Sequence, residues 1–227
     1  MSREAIVTCA ISLADSQGLD AVSIRTLASE LGARPMSIYS YAQIERKEEL
    51  FDLMVDAVCG EMLLDQLPRP WRDALRAIAI HCRDALIRHP WWTELVGRNV
   101  LTGPNGTHYR EQTLAAVAGL KIDPTRKLAI ILAVETYVIG QATHAIDEHG
   151  ASRTPARTHE QWRQAADEYQ AALIETGRFP HLAELGPLHP TPDDQKRYFT
   201  LGLDWLLDGI STDLKRRRST TRKASGT

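Results

Sequence analysis

Between Ser23 and Ala42 the chain reads SIRTLASELGARPMSIYSYA, and the side chains free to do chemistry there are those left over once a packing face is assigned. At 100° per residue through PMSIYSYA, Ile38 and Ala42 point one way and Met36 and Ser40 the other, with Ser37 and Tyr39 flanking the outer set. That outer face is small and mildly polar. It can approach base edges in the major groove of DNA without a steric or desolvation conflict, and the chemistry it offers is contact and hydrogen bonding to bases.

Such a face is useful only if short helices hold it in place, and the flanking residues supply them. Ser23 is a good N-cap, and Ile24, Leu27, Ala28 and Leu31 recur at helical spacing, so a first helix has one apolar stripe. Gly32 stands where helices commonly stop in a left-handed residue. Ala33 and Arg34 make the turn, and Pro35 suits the first position of a second helix, where its missing N–H is not needed. This is the layout of a helix-turn-helix. Two short helices around a glycine also occur in helical domains that never touch DNA, so spacing alone leaves that alternative open.

Other chemistry finds less support. In HAIDEH, His144 and Glu148 stand one turn apart, but the segment lacks the His-x3-His spacing and third ligand of a helical zinc motif, and no metal is expected. No GxSxG elbow, CxxC pair or phosphate-cradling glycine loop occurs, so no cofactor is implied. Cys9, Cys59 and Cys82 are far apart in helical segments and read as small core residues. A helical small-molecule-binding protein or enzyme without operator binding is the alternative function, which turnover of a bound compound would reveal.

The 227 residues, 43% of them hydrophobic, suffice for one large or two modest domains. The N-terminal segment is not a signal peptide, because Ser2, Arg3 and Glu4 lead into a helix in which Ile6, Ala10, Leu13 and Ala14 share a face. The strongest apolar run, Leu128 to Gly140, is shorter than the roughly 20 residues that span a bilayer and contains Glu135. A cytoplasmic protein without a membrane partner is expected. Net charge is −2. Up to residue 47, Arg3, Arg25, Arg34, Arg46 and Lys47 are balanced by Glu4, Asp15, Asp20, Glu30 and Glu45, so phosphate contacts would also have to come from backbone N–H groups, hydroxyls and helix N-termini.

The run from Arg3 to Asp56, with Ala10 and Gly18 ahead of the motif, Arg25 within it, GARPMSIYSY as the second helix and KEELFDLMVDAV after it, resembles the DNA-binding domain of the TetR family of transcriptional repressors. RHPWWTEL (88–95) and FTLGLDWLLDGI (199–210) look like the ligand-binding and dimerisation part of its tetracycline-repressor-like branch. The resemblance implies an all-α homodimer that binds a palindromic operator in double-stranded DNA and is released by a small-molecule effector. By resemblance, Arg25, Arg34, Met36 and Ser37 meet bases or adjacent backbone, while Ser23, Tyr39, Tyr41 and Lys47 mainly hold phosphates. Tyr39 has the alternative of packing on the first helix. The interval between Tyr41 and Lys47 is longer than usual for the family; the extra length is expected at the surface, and Arg46 is an equal candidate for the role of Lys47.

The expected organisation is a helix-turn-helix domain over 1–47, an effector-binding and dimerisation domain over 48–217 and a basic disordered tail over 218–227. After the motif, Leu50, Leu53, Met54, Ala57 and Val58 share one side of a connecting helix. Gly103 to Gly106 reads as a loop. Leu128 to Ile139 is apolar nearly all round, which predicts a central helix buried on several sides. No window alternates with period two, so no sheet is expected.

In the last helix Phe199, Leu203, Leu206, Ile210 and Leu214 form a packing seam, with Gly202 and Gly209 on a neighbouring stripe. Close packing within one subunit would explain the glycines. The resemblance implies instead a four-helix dimer interface including Gly202, Leu206, Gly209 and Ile210. Trp71, His81, Trp92, Tyr109, Glu135, Gln141 and His144 mix aromatic and polar groups on apolar helices, which suits a pocket for a mostly hydrophobic, ring-containing effector.

Overall fold

In the computed structural model, which describes residues 1–95, 103–150, 159–185 and 191–224, the regular elements are helical and no strand occurs among the described residues. This is the all-α class expected from the sequence. The helices are α1 (Arg3–Gln17), α2 (Ile24–Glu30), α3 (Pro35–Ala42), α4 (Lys47–Glu61), α5 (Trp71–Arg88), α6 (Pro104–Val117), α7 (Pro124–Gly150), α8 (His159–Glu175), α9 (Pro180–Ala183) and α10 (Pro192–Ala224). Met1–Ala142 forms one compact unit and Thr143–Thr227 a second.

In the first unit α1 buries Ile6, Val7, Ala10, Leu13 and Ala14, and its first turn is closed by the Ser2 hydroxyl, which accepts from the Ala5 N–H at 3.2 Å. That face packs on α2, α3 and α4. The buried residues of α4 are Leu50, Phe51, Met54, Val55, Val58 and Cys59, while Leu53 and Ala57 are only half-buried. The buried arc is therefore wider than the expected stripe and displaced toward Phe51 and Val55, because α4 is packed against α1 and also against α6.

The expected loop at Gly103 to Gly106 is instead the start of α6. Pro104 occupies the first turn, and the N–H of Gly106 is satisfied by Asp56 Oδ1 of α4 at 2.9 Å. A cap supplied by a different helix leaves no local sequence signal.

Helix α7 also departs from expectation. Asp123 Oδ1 caps it by accepting from the Arg126 N–H at 3.0 Å. Ile130, Ile131, Val134, Val138 and Ala142 are buried, yet Leu128 and Leu132 are 51% and 50% exposed and Ala129, Ala133, Thr136 and Gly140 are exposed too. One apolar face is covered within the chain and another is open. By length and composition Pro124–Ile146 would suffice to cross a bilayer; its buried stripe is instead part of a protein core.

In the second unit Gly177, at φ +72°, ends the turn after α8, and α10 buries Phe199, Leu203 and Leu207. Leu206, Ile210 and Leu214 of the expected seam are half-buried. The last helix continues past Arg217 to Ala224, as a sequence free of proline and glycine there permits. Arg153 to Thr158, polar and proline-containing in sequence and so read as a loop, lies outside the described residues.

Candidate nucleic-acid interface and effector pocket

The helix-turn-helix is built from local interactions. The Ser23 hydroxyl accepts from the Thr26 N–H at 3.0 Å and caps α2. Gly32, at φ +59°, ends it, with Gly32 N–H donating to Ser29 and Ala33 N–H to Ala28, the paired bonds of a left-handed C-terminal cap. Pro35 then opens α3. The inner side of α3 is Ile38 and Ala42, both fully buried, and the outer side carries Met36, 75% exposed, Ser40 and Tyr41. Arg25 and Arg34 are exposed, and Ser23, Ser37 and Tyr39 are half-buried. An exposed Met and Tyr on a short helix gain no stability from the fold, and their exposure leaves them free to meet a partner.

The far end of α3 is fixed twice. Gln43 takes the left-handed conformation at φ 55°, and the N–H groups of Gln43 and Ile44 return to the carbonyls of Ser40 and Tyr39. Arg3 of α1 donates through Nε to the carbonyl of Ala42 at 2.8 Å. The longer interval before Lys47 does not simply ride on the surface: Glu45 and Arg46 are exposed but Ile44 turns inward and is 6% exposed. An apolar side chain following a left-handed cap commonly folds back on its helix. The loop ends when Glu49 accepts from the Glu45 N–H at 2.8 Å, and Arg46 reaches the same carboxylate at 3.4 Å. Lys47, the first residue of α4, places Nζ 5.0 Å from the centre of the Phe51 ring.

A small cavity lies between α5, α6 and α7. It is lined by Leu75, Ile78, Ala79, Tyr109, Thr113, Ile131, Val134, Glu135 and Val138. Of the residues expected around an effector, Tyr109 and Glu135 are in this lining. Trp71, His81, Trp92, Gln141 and His144 are not: His81 and His144 are exposed, Trp71 and Gln141 are half-buried, and Trp92 is buried with no acceptor for its indole N–H among the described residues. The volume open to the centre of a water-sized sphere is about 10 Å³, room for one water molecule. Burial pushes the Glu135 carboxyl above its ordinary range against the opposing charge of Arg110, which favours the neutral acid. Burial likewise holds the Tyr109 hydroxyl protonated, and it is hydrogen-bonded to Cys82, whose thiol burial raises to about 12. The polar groups of the lining thus include the Tyr109 phenol, hydrogen-bonded to the Cys82 thiol, and the Glu135 carboxyl.

Helix α6, which brings Tyr109 and Thr113 to the cavity, is clamped to α4 at its start and to the segment that follows α4 further along. At its start, Asp56 accepts from the Gly106 N–H while Asn105 Nδ2 donates to the Asp56 carbonyl at 3.1 Å. Gly103 lies so close that a Cβ there would overlap the Asp56 carboxylate. Further along, Gln112 Nε2 donates to the Leu64 carbonyl at 2.7 Å and its Oε1 accepts from the Leu64 N–H at 3.1 Å. A side-chain amide that matches both backbone groups of one residue fixes the register of the two segments.

Residues 65–214 match the family model described as the tetracyclin repressor-like C-terminal domain. A transcriptional regulator of the helix-turn-helix type from Saccharopolyspora erythraea is 31% identical over 216 residues, covering 93% of this chain and 85% of its own length. The chain belongs to the TetR family of transcriptional regulators. Another relative, the helix-turn-helix-type transcriptional repressor DrrR1 of Streptomyces coeruleorubidus, is 29% identical over 96% of this chain and 80% of its own. Among solved structures, apo ActR from Streptomyces coelicolor superposes with a TM-score of 0.75 at 25% identity, over 96% of this chain and 98% of ActR. ActR in complex with actinorhodin gives 0.74 at 24% identity, over 94% and 98%.

For a TetR-family chain the relevant residues that composition and spacing did not single out are Arg3, Asp56, Asn105 and Gln112. Arg3 and Asp56 look like ordinary surface charges on amphipathic helices, and only the neighbouring helix shows what each holds. Asn105 sits in a Gly-Pro-Asn-Gly string whose composition signals a loop.

Proposed function

We propose that this TetR-family regulator is a repressor that binds a palindromic operator as a homodimer and is released by a small, mostly hydrophobic, ring-containing effector lodged between α5, α6 and α7. The observation that carries the reading is the double role of α6. The cavity as it stands holds no more than one water, whereas sites for drug-sized ligands span roughly 300–1,000 Å³. An effector therefore has to push α6 away from α5 and α7. Because Asp56 ties α6 to α4 and Gln112 ties it to Leu64 just beyond α4, that displacement passes to the helix that leads directly from the helix-turn-helix. Two recognition helices must sit about 34–36 Å apart to enter successive major grooves, so a small tilt of α4 in each subunit weakens operator binding. That ActR is seen in complex with actinorhodin supports a small-molecule ligand for this chain.

The second copy is supported by the faces left open. Leu128 and Leu132 on α7, and Tyr198, Leu201 and Trp205 on α10, are exposed, Trp205 to 71%. Gly209 is also exposed, with nothing near its missing Cβ. Such apolar stripes are covered in an obligate homodimer. On the DNA side, Arg25, Arg34, Met36 and Ser37 read bases or adjacent backbone, and Ser23, Tyr39, Tyr41 and Lys47 or Arg46 hold phosphates.

Selecting duplexes from a random pool and then screening compounds for release tests the reading. A palindromic site is expected, and Arg34→Ala should relax preference at one base step by roughly 1–3 kcal/mol. Failure to enrich any sequence, or release by no compound class, would overturn it.

A further inference from the structure

The RHPW stretch closing α5 plays no part in the reading above, yet it has a partner from each of two other helices. Pro90 bars helix at His89, whose backbone leaves α5 at φ −122°, ψ 68°. The His89 side chain is buried, 6% exposed, and both ring nitrogens face carboxylates. Nδ1 is 2.9 Å from Oδ1 of Asp15 in α1, and Nε2 is 3.2 Å from Oε2 of Glu61 at the end of α4. Trp91 Nε1 donates to the same Asp15 oxygen at 2.7 Å, and Arg88 pairs with the same Glu61 oxygen at 2.7 Å.

Neutral imidazole has one N–H and one lone pair, so only the imidazolium donates to both carboxylates. The charged groups facing His89 are Asp15 from α1, Glu61 from α4 and Arg88 from α5, and the 3-10 turn Pro90–Leu95 presents the Trp91 ring, 6.0 Å between centroids. With an imidazolium the cluster is neutral, two carboxylates against two cations. Without its proton, one ring lone pair points at a carboxylate, and one of the two bonds is lost.

Resting on the operator-binding reading, we propose that His89 is a positioning residue for that function: shared between Asp15 and Glu61, it clasps α1 to the junction of α4 and α5 and so sets how α3 is presented to DNA. The link to α3 is direct, because α1 packs on it and holds its last turn through Arg3. The clasp complements the α6 clamp. One joins the pocket to α4, and the other joins the far end of α4 back to the DNA-binding helices.

The test uses the full chain and a duplex selected by the parent protein. His89→Gln should lower affinity for that duplex about ten-fold, in the range of ordinary site couplings, while circular dichroism and the melting midpoint still report a folded protein. His89→Arg, which keeps a cation able to donate to both carboxylates, should recover most of the affinity that His89→Gln loses. Asp15→Asn should weaken binding in the parent and add little in the His89→Gln background. If His89→Gln does not fold, Glu61→Gln, at a partly exposed carboxylate, carries the same affinity measurement. Unchanged affinity in the variants, with a selected duplex in hand, would overturn the clasp alone. If no duplex can be selected, the operator reading fails and the clasp with it.

Discussion

Arg3 and Ala42 join the first helix to the end of the third: the guanidinium Nε of Arg3 donates to the Ala42 carbonyl at 2.8 Å. A cation at the last turn of a helix meets carbonyls that lack intrahelical partners and the negative end of the helix dipole. Arg3→Met keeps most of the stem and removes the donor. Stability should fall by about 0.5–1.5 kcal/mol, and affinity for a selected operator should fall several-fold because α3 loses an anchor. Urea unfolding and fluorescence anisotropy measure the two losses, and parental values in both would show that the contact does not orient α3.

Gly103 is the second testable point. Its backbone is ordinary, at φ −74°, so alanine is tolerated locally, but the added methyl would overlap Asp56. Gly103→Ala should therefore cost about 1–3 kcal/mol, and part of that loss should vanish when Asp56 is already alanine, which removes the carboxylate but keeps its Cβ. Thermal melts of the four proteins in this cycle give the coupling. Additive losses would place the strain elsewhere.

For assembly the informative glycine is Gly209, since a Cβ there meets nothing within 4 Å in the single chain. Gly209→Leu should leave the fold intact yet hold two copies apart, and Leu132→Glu should act in the same direction by placing a charge on an apolar face. Sedimentation at micromolar concentration should show monomer, with operator affinity lost because one subunit reaches only half a palindrome. Dimers of parental stability would move the interface to another surface.

Glu135 carries a pH prediction whose sign follows from its burial. The carboxyl is raised above its ordinary value of 4.5, so between that pH and its raised value the folded chain holds more proton than the unfolded one. The contribution of Glu135 to stability is present below pH 4.5 and falls as pH rises through that window. Glu135→Gln, neutral throughout, should remove this part of the pH dependence and leave the protein more stable than its parent on the alkaline side. Melting midpoints of both proteins across the window are the measurement; parallel curves would mean that the acid is solvated.

The helix-turn-helix was legible because every signal in it is local. Ser23, Gly32 and Pro35 each act within a few residues of themselves, and Ile38 and Ala42 follow from helical period alone. The effector region was less so. Aromatic and polar residues mark helices that carry a site, but only packing shows which face turns toward it. His81 faces out while Ile78 and Ala79, on the same helix, line the cavity with Tyr109 and Glu135. In α7 the apolar pattern predicted burial on several sides, whereas in the single chain the face of Leu128 and Leu132 is open. The start of α6 and the surroundings of His89 were hidden because the partners Asp56, Asp15 and Glu61 come from other helices.

The division of α3 into a buried line and a bare one has an evolutionary consequence. Ile38 and Ala42 answer to the core, whereas Met36, Ser40 and Tyr41 touch little of it, so substitutions at the bare positions cost the protein almost no stability. Paralogues arising by gene duplication could therefore diverge in the promoters they govern through a handful of codons in α3. Gln112 and Asp56, each bonded to the backbone of another segment where no substitution opposite can make good their loss, would meanwhile be inherited unchanged.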